Sequence, residues 1–287
     1  MASEHVWIIG ASMTRFARHD GLDSVDLAAD AALAALADSG TAIGDMDILA
    51  AGSLFNAAAG LGQQIQKQIG QTGIPVYNVA NACATGATAL RTVHLSILAG
   101  ESDLGLAVGV EKTSGMGLLG PGGRPAGAKN EYAPTGRDGH VMPTEGILGS
   151  QTMPSVFAQA GMAYLHANPQ ASVEHFYKIS EKNHAHSELN PLAQYRKRFS
   201  LDEIKAAPMI SYPNTSLMCS ANTDGAAAVV LCSAKKLATL PPAVRERAVK
   251  ISASVMTSDP YVPGGLVQPD VSTCTRNAAA AAYEKAG

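Results

Sequence analysis

A chain of 287 residues, 46% hydrophobic and 16% charged, carries enough apolar material for a sizeable core in one large domain or two. Its net charge of −3 gives no electrostatic footprint for nucleic acid or an anionic membrane surface, and aromatic residues at 5% offer few stacking platforms for bases. No apolar run reaches the ~18 residues of a membrane span, and Met1-Ala2-Ser3-Glu4-His5 lacks the basic and apolar parts of a signal peptide.

Residues 6–9 are a short apolar strand ending at Gly10. The spacing of Leu27, Ala31, Ala34, Ala35 and Leu36 predicts an amphipathic helix over 24–39, with Ser24 as its cap and Gly40 as its terminator. A strand follows at 47–51, a short helix at 62–69 and a strand at 76–79. Residues 87–98 form a helix with Leu90, Val93 and Ile97 inward and Gly100 at its end, and 103–110 is a buried strand. Strands alternating with helices predict an α/β domain with a largely parallel central sheet.

The texture changes after Glu111. Residues 112–146 are rich in Gly and Pro, helices are expected at 151–167 and 172–186, and Ser200-Leu201-Asp202-Glu203 reads as a helix start. The β pattern resumes at 226–232. Residues 250–255 are strand-like and 273–285 form an Ala-rich helix closed by Gly287, which repeats the opening strand, helix and Gly40. On this reading residues 1–111 are an α/β domain, 112–225 a helical insertion, and 226–287 a return to the core sheet plus the start of a second, incomplete copy.

The four cysteines are Cys83, Cys219, Cys232 and Cys274. They are widely spaced and include no Cys-x-x-Cys, which argues against a disulfide scaffold or a zinc site and for a reducing cytoplasm. Cys83 stands apart, in Val76-Tyr77-Asn78-Val79-Ala80-Asn81-Ala82-Cys83-Ala84-Thr85-Gly86. The ordinary fate of a free cysteine is burial in a core. Here a strand ends just before the thiol and a small-residue helix begins just after it. A thiol at a helix N-terminus meets the positive end of the dipole, which favours the thiolate. Ala82, Ala84 and Gly86 leave room for a substrate, and the helix N–H groups, that of Cys83 included, can donate to an oxyanion. Sulfur suits acyl chemistry, because a thioester forms and breaks readily.

The other eye-catching groups read as structural. His184 and His186 lie two apart on an expected helix, where their side chains diverge, and no carboxylate partner accompanies them; His140 and His166 are lone. Gly120-Pro121-Gly122-Gly123 lacks the preceding strand, the Gly-Lys-Ser/Thr and the helix of a phosphate loop, so it reads as a turn.

The Cys83 segment resembles the thiolase superfamily, and within it the sterol-carrier-protein-linked thiolases, also called lipid-transfer proteins. Val108-Gly109-Val110-Glu111-Lys112, Lys182-Asn183-His184-Ala185-His186-Ser187 with Asn190-Pro191, and Thr223-Asp224-Gly225-Ala226-Ala227-Ala228-Val229-Val230 agree in the family's order. The resemblance implies a layered α/β/α/β/α fold with the N-terminal half complete, a helical loop-domain insertion covering the acyl-CoA site, and a partial C-terminal half. It implies that Cys83 is the nucleophile acylated by an acyl-CoA. Ser220 matches a position against the pantetheine arm, although the neighbouring Cys219 and Asn222 differ from the family pattern, and Met153 is a candidate lining for the acyl pocket. Arg196-Lys197-Arg198 is either a solvated cluster or a contact for the nucleotide phosphates of coenzyme A. Coenzyme A is a substrate on this reading, and no prosthetic group is expected. The strand before Cys83 is implied to lie at a homodimer interface.

Three family features are missing: the histidine of Gly-His-Pro, the second cysteine of Cys-x-Gly, and the Asn- or His-bearing motif that holds a catalytic water. All eight histidines lie at or before His186, and Cys274 is not followed by x-Gly. The expected activity is acyl transfer: cleavage of a 3-oxoacyl-CoA or its condensation reverse, on sterol or branched chains. Two alternatives stand beside it. One is a retro-aldolase of sterol side-chain breakdown working with a small acyl-CoA-binding partner. The other is a non-catalytic acyl-CoA binder, or a truncated chain whose missing half a second chain supplies.

Overall fold

A computed structural model describes residues 5–114, 153–258 and 271–287. The chain runs β1 (Val6–Met13), α1 (Ser24–Ser39), β2 (Ile48–Gly52), α2 (Leu61–Ile69), β3 (Val76–Val79), α3 (Thr85–Ala99) and β4 (Leu104–Lys112). It continues with α4 (Met153–Ala167), α5 (Val173–Leu189), α6 (Leu201–Ala206), β5 (Met209–Ser211), β6 (Asn214–Thr215) and β7 (Asp224–Ser233). The last elements are α7 (Ala234–Thr239), α8 (Pro242–Arg247), β8 (Val249–Ile251) and α9 (Val271–Ala286). Among the described residues two compact units result: 5–114 with 223–254, and 153–222 with 255–258 and 271–285. No helix among the described residues is long and apolar enough to cross a membrane.

The first unit is a six-stranded sheet in the order β3-β2-β4-β7-β1-β8. It is mixed, not largely parallel: β2 pairs parallel with β3 and β4, while the β4–β7, β7–β1 and β1–β8 pairings are antiparallel. The cause is the insertion. The chain leaves the sheet at the end of β4 and returns at the same end, with Lys112 opposite Asp224, so β7 must run back alongside β4. The expected C-terminal strand is short, and β8 joins the edge of this same sheet beside β1.

Side-chain alternation splits the core into two layers. Leu49, Ala51, Leu104, Leu106, Val108 and Val230 face one side with the buried residues of α1 and α2. Ile48, Ala50, Ala107 and Leu231 face the other, against Ala89, Val93 and Ile97 of α3. Strands buried on both faces read as continuous apolar runs, as β2, β4 and β7 do. Helix α1 buries Leu27, Ala28, Ala31, Ala32, Ala35 and Leu36, whereas Ala34 points to solvent, because the buried stripe advances in steps of four from adjacent pairs. Its cap is Asp23, not Ser24. The Asp23 carboxylate accepts from the Val25 and Asp26 N–H groups, and Asp26 reciprocates to the Asp23 N–H. Ser24 is the first helical residue and accepts a hydrogen bond from Asn56 instead. Gly40 ends the helix at φ 68°, as the sequence predicts.

The second unit holds α4, α5, α6, the β5–β6 hairpin and α9. Ser200 and Glu203 form the capping box at the start of α6.

Candidate functional site

The first turn of α3 lies over the carboxyl ends of β2 and β4, where ligands of open α/β sheets bind. Two glycines let it come close. Gly52 and Gly109 are register partners across β2 and β4. A Cβ on Gly52 would stand 2.8 Å from Thr85 Cγ2, and one on Gly109 would stand 2.9 Å from Gly86 Cα. Bare backbone at these two positions forms a flat platform, and any side chain there would push α3 outward.

The segment joining β3 to α3 is a closed turn. The Ala84 N–H donates to Asn81 O (2.9 Å) and the Thr85 N–H to Ala82 O (3.2 Å). Thr85 Oγ1 accepts from the Asn81 N–H (2.8 Å) and donates to Ala82 O (2.7 Å). Asn81 Nδ2 donates to Thr88 Oγ1 (3.0 Å), which donates to Ala84 O. Ala82 sits at φ 44°, a left-handed conformation that a non-glycine residue adopts at a cost of roughly 1–2 kcal/mol. The next residue is Cys83, exposed at the outside of the turn, while Thr85 beneath it is buried. Asn81 and Cys83 also pair as an isolated bridge across Ala82. Helix α3 begins two residues earlier than the sequence predicts, which brings its N-terminus directly to Cys83.

The other cysteines differ. Cys232 is fully buried in β7, and burial pushes its thiol up to about 12. Cys219 is partly buried, its thiol also raised by desolvation, and its Sγ donates to Thr215 O. Cys274 is partly buried, beside Thr257.

Two carboxylates, which a reading of the sequence leaves without roles, brace the frame. Glu111 closes β4 and accepts from Ser53 Oγ (3.0 Å) and the Leu54 N–H (2.7 Å), tying down the loop that leaves β2. Asp224 is wholly buried where the insertion begins and ends. It accepts from the Ser114 N–H (2.7 Å), Ser114 Oγ (2.5 Å) and the His19 N–H (3.0 Å), with Lys112 Nζ at 3.4 Å. Burial alone would raise this carboxyl. The Ser114 hydroxyl, the two N–H groups and Lys112 outweigh it and hold Asp224 well below the usual carboxylate range. Thr113 and Thr223 complete the clasp with a reciprocal pair of bonds. A carboxylate at the border of a long apolar run, Glu111 directly after 104–110 and Asp224 one glycine before 226–232, is the signal the sequence offers for both.

The remaining residues that the sequence singles out fall in the second unit. Ser220 is exposed, just after the short helix Ser216–Met218, and Met153 opens α4 at 44% exposure. His184 is buried, meets Leu217 O at 2.9 Å and packs edge-on against Phe199, while His186 faces solvent. Ser180 donates to the same Leu217 carbonyl, so α5 pins the turn that leads to Ser220. Lys197 lies over the Phe199 ring and Arg198 pairs with Glu188, so both charges have local partners. The Gly120–Gly123 turn and His140 lie outside the described residues. Among the described residues no group of three or more His, Cys, Asp or Glu could hold a metal ion.

The thiolase N-terminal domain family matches residues 6–130. Sterol carrier protein 2 of Homo sapiens is 32% identical over 98% of this chain and 51% of its own length. An acetyl-CoA acetyltransferase of Methanothermobacter thermautotrophicus is 30% identical over 80% of this chain and 57% of its own. The chain thus spans about half the length of these curated relatives. Among solved structures, a chain of the Ltp2–ChsH2(DUF35) aldolase superposes with a TM-score of 0.65 at 20% identity, covering 84% of this chain and 59% of that one. An acetyl-CoA acetyltransferase from Syntrophomonas wolfei gives 0.62 at 20% identity, covering 83% and 66%. At that identity the structural likeness establishes the fold.

Proposed function

The chain belongs to the thiolase superfamily, and from that premise we propose that it is an acyltransferase that carries an acyl group from acyl-CoA on Cys83. The observation behind this is the exposed thiol on a strained turn at the N-terminus of α3, over the carboxyl ends of parallel strands. The Cys83 sulfur attacks the acyl carbonyl carbon, its proton passing to a base, and a C–S bond forms. With a 3-oxoacyl-CoA the bond between C2 and C3 then breaks, and acetyl-CoA leaves as an enolate that takes up a proton. The thiol of a second coenzyme A attacks the Cys83 thioester, forms the shortened acyl-CoA and returns a proton to the sulfur. The reverse sequence condenses acetyl groups. N–H groups at the start of α3, that of Cys83 included, donate to the oxyanion of each addition.

The finer assignments belong to the same reading. Ser220 contacts the pantetheine arm, Met153 lines the acyl pocket, and the acyl groups are sterol or branched chains, by likeness to sterol carrier protein 2. Coenzyme A is substrate, with no resident cofactor. The β3 edge pairs two copies of the chain; it is the end strand of the sheet and carries Tyr77 at 52% exposure. The chemistry also needs a base and a proton donor, for which the family uses the Gly-His-Pro and Cys-x-Gly motifs; neither occurs in these 287 residues. Four free cysteines suit work in a reducing cytoplasm.

A second reading stands beside it: aldol cleavage of a 3-hydroxyacyl-CoA with an acyl-CoA-binding partner, by likeness to the Ltp2–ChsH2(DUF35) aldolase. Steady-state assays separate the two. The protein, alone and with an added acyl-CoA-binding partner protein, is given a 3-oxoacyl-CoA plus coenzyme A, or a 3-hydroxyacyl-CoA alone. Thiolysis abolished by C83A is the expected result. Aldol cleavage that survives C83A would transfer the assignment to the second reading.

A further inference from the structure

Helix α3 lacks the usual cap: Ala84 precedes it and offers no side-chain oxygen. The hydroxyl in this turn belongs instead to Thr85, one residue inside the helix, and it reaches backwards. With one donor and one acceptor function, Thr85 Oγ1 takes the Asn81 N–H at 2.8 Å and gives its own proton to Ala82 O at 2.7 Å. It therefore clips both sides of the one left-handed non-glycine residue in the described chain. Strained backbone persists only where its surroundings over-determine it, and the residue that supplies the clip, Thr85, is buried at 5% exposure. The Thr85 methyl does a different job, lying over Gly52.

We propose that Thr85 is a positioning residue for Cys83: its hydroxyl holds Ala82 in the left-handed conformation and so keeps the Cys83 sulfur on the open side of the turn. This deepens the acyl-transfer reading and rests on it for its purpose, although the geometry is testable without any substrate. Released from the clip, Ala82 relaxes to an ordinary φ. The Cα–Cβ direction of Cys83 then swings away from solvent.

The test uses Thr85→Val, which keeps the methyl and the shape but loses the hydroxyl, and Thr85→Ser, which does the reverse. Nuclear magnetic resonance on protein carrying labelled alanine reads the Ala82 one-bond Cα–Hα coupling, which distinguishes positive from negative φ. Mass spectrometry reads the rate at which iodoacetamide labels Cys83, with buried Cys232 in the same sample as the reporter of an opened fold. T85V should lose the positive-φ signature and slow Cys83 labelling at least about fivefold while Cys232 stays protected. T85S should keep both within about twofold. The proposal falls if T85V keeps the signature and the rate, or if T85S behaves like T85V. Should T85V expose Cys232, T85S against Thr85→Ala decides on the same terms, because those two differ by the hydroxyl alone. A wild-type protein that forms no acyl adduct would remove the acyl-transfer reading and leave these measurements unaffected.

Discussion

Ala82 and Cys83 show how much the candidate site depends on backbone that the side-chain inventory does not reveal. Cys83 is legible as a candidate nucleophile from sequence because a strand ends before it and small residues follow. The left-handed Ala82 is not legible, since alanine is not a residue that announces positive φ. Asp224 is similar: its Thr-Asp-Gly setting resembles the family, but only the folded chain brings Ser114, His19 and Lys112 to it. Its depressed pKa sets a sign. The unfolded carboxyl takes up protons before the folded one does. The stabilisation is therefore fully present above the ordinary carboxylate value of about 4 and is lost as pH falls below it. Asp224→Asn should destabilise the protein by about 3 kcal/mol at neutral pH, because donors arranged for a buried carboxylate lose their charge partner. The same variant should flatten the acid side of a Tm-versus-pH curve. A D224N curve parallel to wild type between pH 3 and 5 would count against the clasp.

At the scale of elements, the expected order of strands and helices holds from β1 to β4, because each carries a clear period or a buried apolar run. The sheet's mixed character is not readable in the sequence, because strand direction after a long insertion depends on where the chain re-enters. The Lys112–Asp224 pairing settles that only in the fold. Sequence propensity places the start of α3 two residues late, since Thr85 and Gly86 are weak helix formers. Here the platform of Gly52 and Gly109 overrides propensity. Gly109→Ala puts a methyl 2.9 Å from Gly86 Cα. It should cost about 1–3 kcal/mol of stability, read by urea denaturation. It should also lower Cys83 acylation by more than tenfold under conditions where the variant stays folded. Full acylation in folded G109A would show that the close approach of α3 to β4 is not what sets the sulfur.

For the whole molecule, the chain matches about half the length of its curated relatives, and the thiolase partners of Cys83 are not in its sequence. The proposed reading sets the Cys83 turn beside a second copy of the chain across β3. Sedimentation velocity should give a dimer, and Tyr77→Lys on the exposed edge strand should shift it to monomer. An unchanged dimer in Y77K would move the interface elsewhere. The central claim is narrower than assembly: Cys83 takes an acyl group from coenzyme A. Peptide mass spectrometry after incubating the chain with an acyl-CoA tests it directly. The account predicts an acyl adduct on the peptide containing Cys83 that is absent from C83A and released by free coenzyme A. An unmodified Cys83, or an adduct of equal yield in C83A, would contradict it.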